Sequence, residues 1–347
     1  MADLPRRDMP ARATIYDVAD HAGVAISTVS RVLNGSSEVS DTTRARVESA
    51  IRELRFQPQR IAKTLAQQST TALAVALPSA TSLFYVEILK GVKDAVREPD
   101  IDLLLCNMGS GSPSATLERF LDRGAVDGLL LTSLPVEGDL ADRLRRMHAP
   151  VVLIGSRLDG FDSFWWNDVE GARKATAHLI ELGHRRIGLL SAHDWSISAE
   201  PRREGYRAAL DEVGIPYDEG LVAVGTATKH AGYSEEAGAD AMARLMAMPT
   251  PPTAVFAASD VQAFGAWSYA RDNGIRVPRD VSLVGYDNLK LSRYLDLTTV
   301  DQSMQEVGRR ATERLLVRMQ EPTDERIDTE IATPLLVRGS SAPPSSS

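Results

Sequence analysis

The stretch GVAISTVSRVLNGSSEVS, residues 23–40, decides how the chain begins. Gly23 closes a preceding helix, because glycine tolerates the left-handed backbone that ends helices. From Ile26 to Leu33, the apolar residues Val29, Val32 and Leu33 recur at helical spacing and turn one side inward. Ser27, Thr28, Ser30, Arg31 and Asn34 are left on the other side. Asn34-Gly35 ends this helix. Ser40 caps a third, whose buried row is Val47, Ile51 and Leu54.

Upstream of Gly23, Thr14-x-x-Asp17 has the form of a capping box, and Ile15, Val18, Ala19 and Ala22 make one apolar stripe. Two short helices across a tight turn, braced by a third, are the helix-turn-helix plan. The outer face of the second helix has the chemistry that plan needs. Its hydroxyls can donate to phosphate oxygens, and Arg31 can fork onto the major-groove edge of a guanine.

Charge distribution agrees with a DNA-reading head. The chain has 347 residues and a net charge of -8, yet residues 1–68 hold ten basic and eight acidic side chains. That makes the head +2 and leaves -10 on the remainder. The only cysteine is Cys106, which excludes an intrachain disulfide and fits a reducing compartment. The first residues, MADLPRRDMPARAT, do not read as a signal peptide, and no stretch approaches the ~20 apolar residues of a membrane span. A cytoplasmic, nucleoid-associated protein is expected.

From Thr71 onward, apolar strands alternate with helical stretches. TALAVALP, IDLLLCNM, DGLLLTSLP and PVVLIGS read as strands separated by helices. After Trp165 the pattern repeats with RRIGLLSA, GLVAVG, TAVFAAS and VSLVGYD, separated by helices near 168–183, 198–214, 232–248 and 260–273. Continuous apolar strands between helices imply parallel sheets covered on both faces. Two successive sets imply an α/β body of two doubly wound lobes, with LTTVDQS and TEIATPLLVRG crossing between or completing them. Ligands of open α/β sheets sit beyond the carboxyl ends of the strands, so the interlobe cleft is the expected pocket. The division expected is a disordered tail at 1–13, a DNA-binding domain at 14–57, a hinge and linker at 58–70, a sensor and dimerisation body at 71–339, and a disordered tail at 340–347.

Residues 14–66, TIYDVADHAGVAISTVSRVLNGSSEVSDTTRARVESAIRELRFQPQRIAKTLA, resemble the DNA-binding head of the LacI/GalR family of bacterial transcription regulators. HLIELGHRRIGLL (178–190), REGYRAAL (203–210) and VPRDVSLVGYDN (277–288) resemble that family's periplasmic-binding-protein-like body. The resemblance places Ile26, Ser27 and Arg31 at base-reading positions. It places Tyr16, Thr28, Ser30, Asn34, Ser40 and Thr43 against phosphates. Arg60, Ala62, Lys63 and Leu65 fall on a hinge helix that folds only when paired on DNA, with Leu65 as a minor-groove wedge. Effector contacts map onto Phe84, Tyr85, Arg202, Ser259, Asp260 and Asp287, and Trp195 adds a stacking candidate. A carboxylate and an arginine can each bind two hydroxyls of a polyol, while an aromatic ring covers a sugar's apolar face.

The sequence also departs from the family. Ala25 stands where serine is usual, which removes a helix cap. Trp165-Trp166-Asn167-Asp168 replaces a valine-aspartate-asparagine run. Gly155 stands where some relatives have a ligand-touching aspartate, and GTATKHAGY differs from the loop of many sugar sensors.

The implied protein is a repressor that binds a near-palindromic operator as a homodimer, with a small metabolite of carbohydrate type in the cleft and no cofactor. Nothing resembling a C-terminal leucine-heptad helix follows Arg338, which favours the dimer over a tetramer. The rival reading is a sugar-binding protein of the periplasmic type, which leaves residues 14–66 without a purpose. Catalysis is not expected: GSGSPS (109–114) is no dinucleotide fingerprint, no phosphate-cradling loop occurs, and the six histidines lack metal-ligand spacing.

Overall fold

Thr14 begins the first helix as its spacing requires. In a computed structural model of the chain, its side chain accepts from the Asp17 amide at 3.3 Å, while Asp17 Oδ2 accepts from the Thr14 amide at 2.7 Å. The structure describes residues 13–33, 36, 38–54, 56, 71–97, 100–109, 113–122, 126–321 and 325–345. These fall into two units that divide between Thr71 and Ala72. The hinge residues Arg60, Ala62, Lys63 and Leu65, and Asn34, lie outside the described residues.

The first unit holds α1 (Ile15–Ala22), α2 (Ile26–Leu33) and α3 (Asp41–Glu53). Gly23 ends α1 at φ 57°, and Ser40 caps α3 by accepting from the Thr43 amide. Val18, Ala19, Val29, Val32, Val47 and Ala50 form the centre of its core. Ala50 is the more deeply buried on α3; Ile51 and Leu54 pack at its margin.

The second unit contains two six-stranded sheets. In the N-terminal lobe the order is β11-β5-β4-β3-β1-β2, built from β1 (Thr71–Leu77), β2 (Ile101–Asn107), β3 (Gly128–Thr132), β4 (Val151–Ile154), β5 (Asp162–Trp166) and β11 (Asp328–Ile331). In the C-terminal lobe the order is β12-β10-β9-β8-β6-β7, built from β6 (Ile187–Ser191), β7 (Val222–Val224), β8 (Ala254–Ala257), β9 (Ser282–Asp287), β10 (Thr298–Asp301) and β12 (Leu335–Leu336). Every pairing recorded is parallel except β10 with β12. The central strands are continuous apolar runs because both faces are covered: Leu73 to Leu77 are all fully buried. Burying each Leu or Val is worth about 1.5–3 kcal/mol. Those strands therefore hold the lobes far more firmly than the exposed ion pairs around them, worth about 0–1 kcal/mol each.

The helices of this unit are α4 (Leu83–Ala95), α5 (Pro113–Leu121), α6 (Gly138–Arg145), α7 (Asp168–Glu181), α8 (Ala199–Glu212), α9 (Glu235–Met246), α10 (Asp260–Asp272), α11 (Lys290–Tyr294) and α12 (Met304–Gln320). The strongest helix pairings are α4 with α12, α7 with α8, and α9 with α10. The first needs glycine on both sides. A Cβ on Gly91 would stand 1.8 Å from the Gln305 carbonyl, and one on Gly308 would stand 2.2 Å from that of Ile88. The chain passes between lobes after β5, after β10 and after β11, so the cleft floor is made from crossing segments.

Two expectations are corrected here. DSFWW forms β5, a sheet strand absent from the strands read in the sequence. Residues 340–345 are not disordered. Ser340 is fully buried, its Oγ donates to Leu283 O at 2.6 Å and accepts from the Thr298 amide at 2.8 Å. Ala342 exchanges two hydrogen bonds with the Ser282 hydroxyl, at 2.8 and 3.0 Å.

Candidate functional site

The α2 face of the first unit presents Ile26, Ser27 and Arg31 to solvent, with Thr28 and Ser30 partly covered. Tyr16 on α1 is 65% exposed, unusual for so large a ring in a small domain. Ser40 and Thr43 sit together at the start of α3, Ser40 Oγ donating to Thr43 Oγ1 at 2.9 Å. Val29 and Val32 on the opposite side of α2 fix this face by burial. The result is a rigid helix offering hydroxyls, an apolar methyl surface and one guanidinium, which is what groove reading requires.

The interlobe cleft is built around Arg202, near the start of α8 and only 5% exposed. Its Nε donates to Asp168 Oδ1 at 2.8 Å, Nη1 donates to the Ala258 carbonyl, and Nη2 donates to Gln302 Oε1 at 3.4 Å. The guanidinium carbon lies 3.9 Å from the Tyr286 ring centre and 5.6 Å from that of Tyr233. Burial, the largest single influence, opposes the charge on Arg202, but the combined fields of Asp168, Tyr233, Tyr286 and Asp287 outweigh it and hold the guanidinium protonated. With three of five N–H donors engaged among the described residues, two remain for a ligand.

Asp287 ends β9 at φ 123°, followed by Asn288 at φ 58°. A non-glycine pair in this region is strained backbone, and such strain concentrates at ligand sites. The Asp287 carboxyl is 2% exposed. Burial pushes it well above the ordinary carboxylate range; Arg202 works against this and neighbouring Asp260 with it.

The opposite wall comes from the N-terminal lobe. Phe84 and Tyr85 meet edge-on at 5.1 Å, and Phe84 meets Trp166 at 5.6 Å. Tyr85 hydrogen-bonds with Ser133 and feels the charges of Arg202 and Asp287, which puts the two lobes' polar faces opposite one another. Burial raises its phenol to about 12, so it is a neutral donor throughout the physiological range. Trp166 Nε1 donates to the Gln302 carbonyl at 2.7 Å and ties β5 to the segment crossing into α12.

The buried polar atoms without a hydrogen-bond partner among the described residues include Gln302 Nε2, just after β10, and Ser191 Oγ, which ends β6. Buried polar atoms left unsatisfied cost about 1–3 kcal/mol each. Both lie at the carboxyl ends of C-lobe strands.

Not every residue expected at the effector site faces it. Asp260 is fully buried and committed to its own lobe. Its Oδ2 accepts from the Leu289 amide at 2.8 Å and from the Ser292 hydroxyl, and its Oδ1 accepts from Thr299 Oγ1 at 2.6 Å. Ser259 caps α10, accepting from the Gln262 amide at 3.1 Å. Trp195 is 59% exposed and stacks on His193 at 4.2 Å. Conversely Asp168, Gln302, Trp166, Tyr233 and Ser133 belong to the cleft and were not selected from the sequence. The one signal available was the unusual run WWND at 165–168.

Residues 14–59 match the family of bacterial regulatory proteins of the lacI type, and residues 176–341 match a periplasmic binding protein-like domain. The HTH-type transcriptional repressor PurR of Vibrio atlanticus (strain LGP32) is 35% identical over 324 residues, spanning 90% of this chain and 94% of the relative. The chain belongs to the LacI family. It is a DNA-binding transcriptional repressor with a ligand-binding body, as its relatives are repressors rather than enzymes. Two solved structures of this LacI-family kind are similar over 95% of the chain. A transcriptional regulator CelR–cellobiose complex is 34% identical with a TM-score of 0.68 and covered in full; the lac repressor dimer bound to operator and the anti-inducer ONPF is 28% identical with a TM-score of 0.70 and 99% covered. A head of this kind settles the rival reading as a sugar-binding protein without DNA function. Among the described residues no helix is long and apolar enough to cross a membrane.

Proposed function

We propose that this repressor binds a near-palindromic operator as a homodimer and that a carbohydrate or sugar derivative in the interlobe cleft sets its operator affinity. Ile26, Ser27 and Arg31 read bases. Tyr16, Thr28, Ser30, Asn34, Ser40 and Thr43 hold phosphates. Arg60, Ala62, Lys63 and Leu65 supply the hinge, with Leu65 as the wedge.

The observation that carries the ligand class is the arrangement of one buried guanidinium, one buried carboxyl and two unpartnered polar atoms in the C-terminal lobe opposite an aromatic wall from the N-terminal lobe. Arg202 and Asp287 offer paired contacts to vicinal hydroxyls, and Tyr85, Phe84 and Trp166 offer apolar faces to a sugar ring. The cellobiose held by the CelR relative supports the same class. A ligand touching both lobes changes their relative stability, and coupling of this kind is typically worth about 1–3 kcal/mol.

The test selects operator fragments from genomic DNA with the full-length protein. It then measures their release or tightening with cellobiose, ribose, other sugars and nucleobases. A shift of operator affinity by a sugar, lost in Asp287→Ala, supports the reading. A response to nucleobases alone would replace the ligand class, and absence of any sequence preference would remove the proposal.

A further inference from the structure

The last described residues are not an appendage to the C-terminal lobe; they underlie the effector site. Arg338 follows β12 and is half-buried. Its Nη2 donates to Asn288 Oδ1 at 2.7 Å and its Nη1 donates to the Leu297 carbonyl at 2.6 Å. Its backbone amide donates to Thr298 Oγ1 at 2.9 Å, and that hydroxyl donates back to the Arg338 carbonyl at 3.1 Å. Beyond it, Ser340 and Ala342 bond to Leu283, Ser282 and Thr298, and Ser345 Oγ donates to the Arg279 carbonyl at 2.6 Å. This strap fixes where the guanidinium can reach.

Asn288 is the neighbour of Asp287, and both hold left-handed backbone. Left-handed backbone costs a non-glycine residue free energy that the surroundings must supply. The surroundings here are few. The Asn288 amide donates to Thr299 Oγ1 at 3.3 Å, Leu289 is held by Asp260, and the Asn288 side chain is held by Arg338. The strongest of these contacts on Asn288 itself is the charged one from Arg338, and charge-assisted hydrogen bonds are roughly twice as strong as neutral ones.

We infer that Arg338 is a positioning residue for the effector site: by clamping Asn288 and Leu297 from below, it holds the strained Asp287–Asn288 turn so that the Asp287 carboxyl faces the cleft beside Arg202. The inference rests on the reading of the cleft as the effector site. It adds that the C-terminal strap is part of that site's construction. Arg338 has a second route to the same end. It is the cation whose field acts on Asp260, the buried carboxyl that holds Leu289, Ser292 and Thr299.

The test uses full-length protein and three variants, Arg338→Gln, Arg338→Lys and Asn288→Gly. Glycine keeps the left-handed backbone open to residue 288 while removing the amide that Arg338 grips. Two measurements are made. Without ligand, hydrogen exchange is followed at the amides of Asn288 and Leu289, with Leu283 and Val284 in β9 as internal controls. With ligand, cellobiose is titrated by intrinsic tryptophan fluorescence. In Arg338→Gln and Asn288→Gly the expected result is exchange at least tenfold faster at Asn288 and Leu289, unchanged protection at Leu283 and Val284, and a cellobiose dissociation constant raised at least tenfold. Arg338→Lys, which reaches one acceptor rather than two, should fall between them and the natural protein.

Unchanged Asn288 exchange in Arg338→Gln would overturn the inference. So would loss of protection throughout β9 in Arg338→Gln together with natural cellobiose binding by Asn288→Gly, since the strap would then be merely structural. Should cellobiose fail to bind the natural protein, the sugar reading of the cleft fails separately, and the exchange result alone decides the role of Arg338.

Discussion

Replacing Arg202 by methionine tests the cleft at its centre. The substitution keeps a flexible apolar stem in a site that is 5% exposed, but removes the charge and every donor. Asp168 then loses its 2.8 Å partner, with 18% of its side chain in contact with water, and the Ala258 carbonyl loses a donor. Breaking a buried ion pair by deleting one member costs about 3–5 kcal/mol, because the other charge stays behind uncompensated. Asp168 keeps some access to water, which points to the lower end, about 3 kcal/mol. At about 2.1 cal/mol/K of unfolding entropy per residue, each kcal/mol moves the thermal midpoint of a body this large by roughly 1.5 °C, so the expected fall is roughly 4–5 °C. The double variant Arg202→Met/Asp168→Asn separates the pair from its surroundings. If the interaction is real, Asp168→Asn in the Arg202→Met background should cost at least about 1.5 kcal/mol less than in the natural protein. Thermal and urea denaturation of the four proteins complete the cycle, and ligand titration should show effector binding lost in both Arg202 variants. Additive costs, or a single-variant loss under about 1 kcal/mol, would refute the view that a desolvated ion pair organises the cleft.

Three further outcomes are expected. Arg31→Ala should lose about 1–3 kcal/mol of operator affinity and relax preference at one base pair; a weaker curve with the same sequence profile would move Arg31 to a phosphate role. Gly91→Ala should cost roughly 1–3 kcal/mol or more, since its Cβ would lie 1.8 Å from the Gln305 carbonyl of α12; an unchanged thermal midpoint would show that α4 and α12 can slide apart freely. Acid should destabilise the C-terminal lobe through His184, which is 1% exposed: its Nε2 donates to the Ala342 carbonyl at 2.9 Å in either protonation state and its Nδ1 pairs with Thr253 Oγ1 at 2.8 Å, but burial penalises the cationic ring. Burial lowers its pKa below the ordinary value of 6.5, so the folded state disfavours the proton. Its contribution is therefore complete above that value and is lost as pH falls through the depressed native one. The natural protein should lose urea stability between about pH 7 and 5 more steeply than His184→Gln, and equal slopes would exclude His184 as the cause.

The head was legible because its signals are local. A capping box, a glycine at φ 57° and apolar residues three and four apart all act within a few positions of one another. The central strands were legible for a related reason: burial on both faces leaves a continuous apolar run. β5 was not, because its first two residues are Asp162 and Ser163, both buried. Asp162 is tolerable there only because Arg314 of α12 donates to it at 3.0 Å and the Ile327 amide at 2.8 Å, partners more than 150 positions away. The tail misled for the opposite reason. GSSAPPSSS has the composition of a disordered segment, yet Ser340 and Ala342 find acceptors and donors on β9 and β10 that only the fold supplies. Within the site, Asp287 stood in a local motif, whereas Asp168 became important only when α8 brought Arg202 beside it. Asp260 was misassigned because its three donors, at 289, 292 and 299, turn it away from the cleft.

If the cleft is the effector site proposed above, its construction also limits which ligands can act there. A ligand that binds equally well to two lobe arrangements shifts neither, however tightly it binds. Arg202, Asp287 and Tyr233 belong to one lobe, and Phe84, Tyr85 and Trp166 to the other. A molecule small enough to contact only the Arg202 side would keep its contacts as the lobes move, so it would occupy the site without changing operator affinity. An effector must also meet Tyr85 or Trp166. Trp166 is the more telling of the two, because its indole N–H already holds the Gln302 carbonyl, while Gln302 Oε1 accepts from Arg202. A ligand that presses on the Trp166 ring therefore acts on the same crossing segment that positions Arg202. The two lobes need no long relay between them: one glutamine, gripped from both sides, makes the polar floor and the aromatic wall parts of a single element.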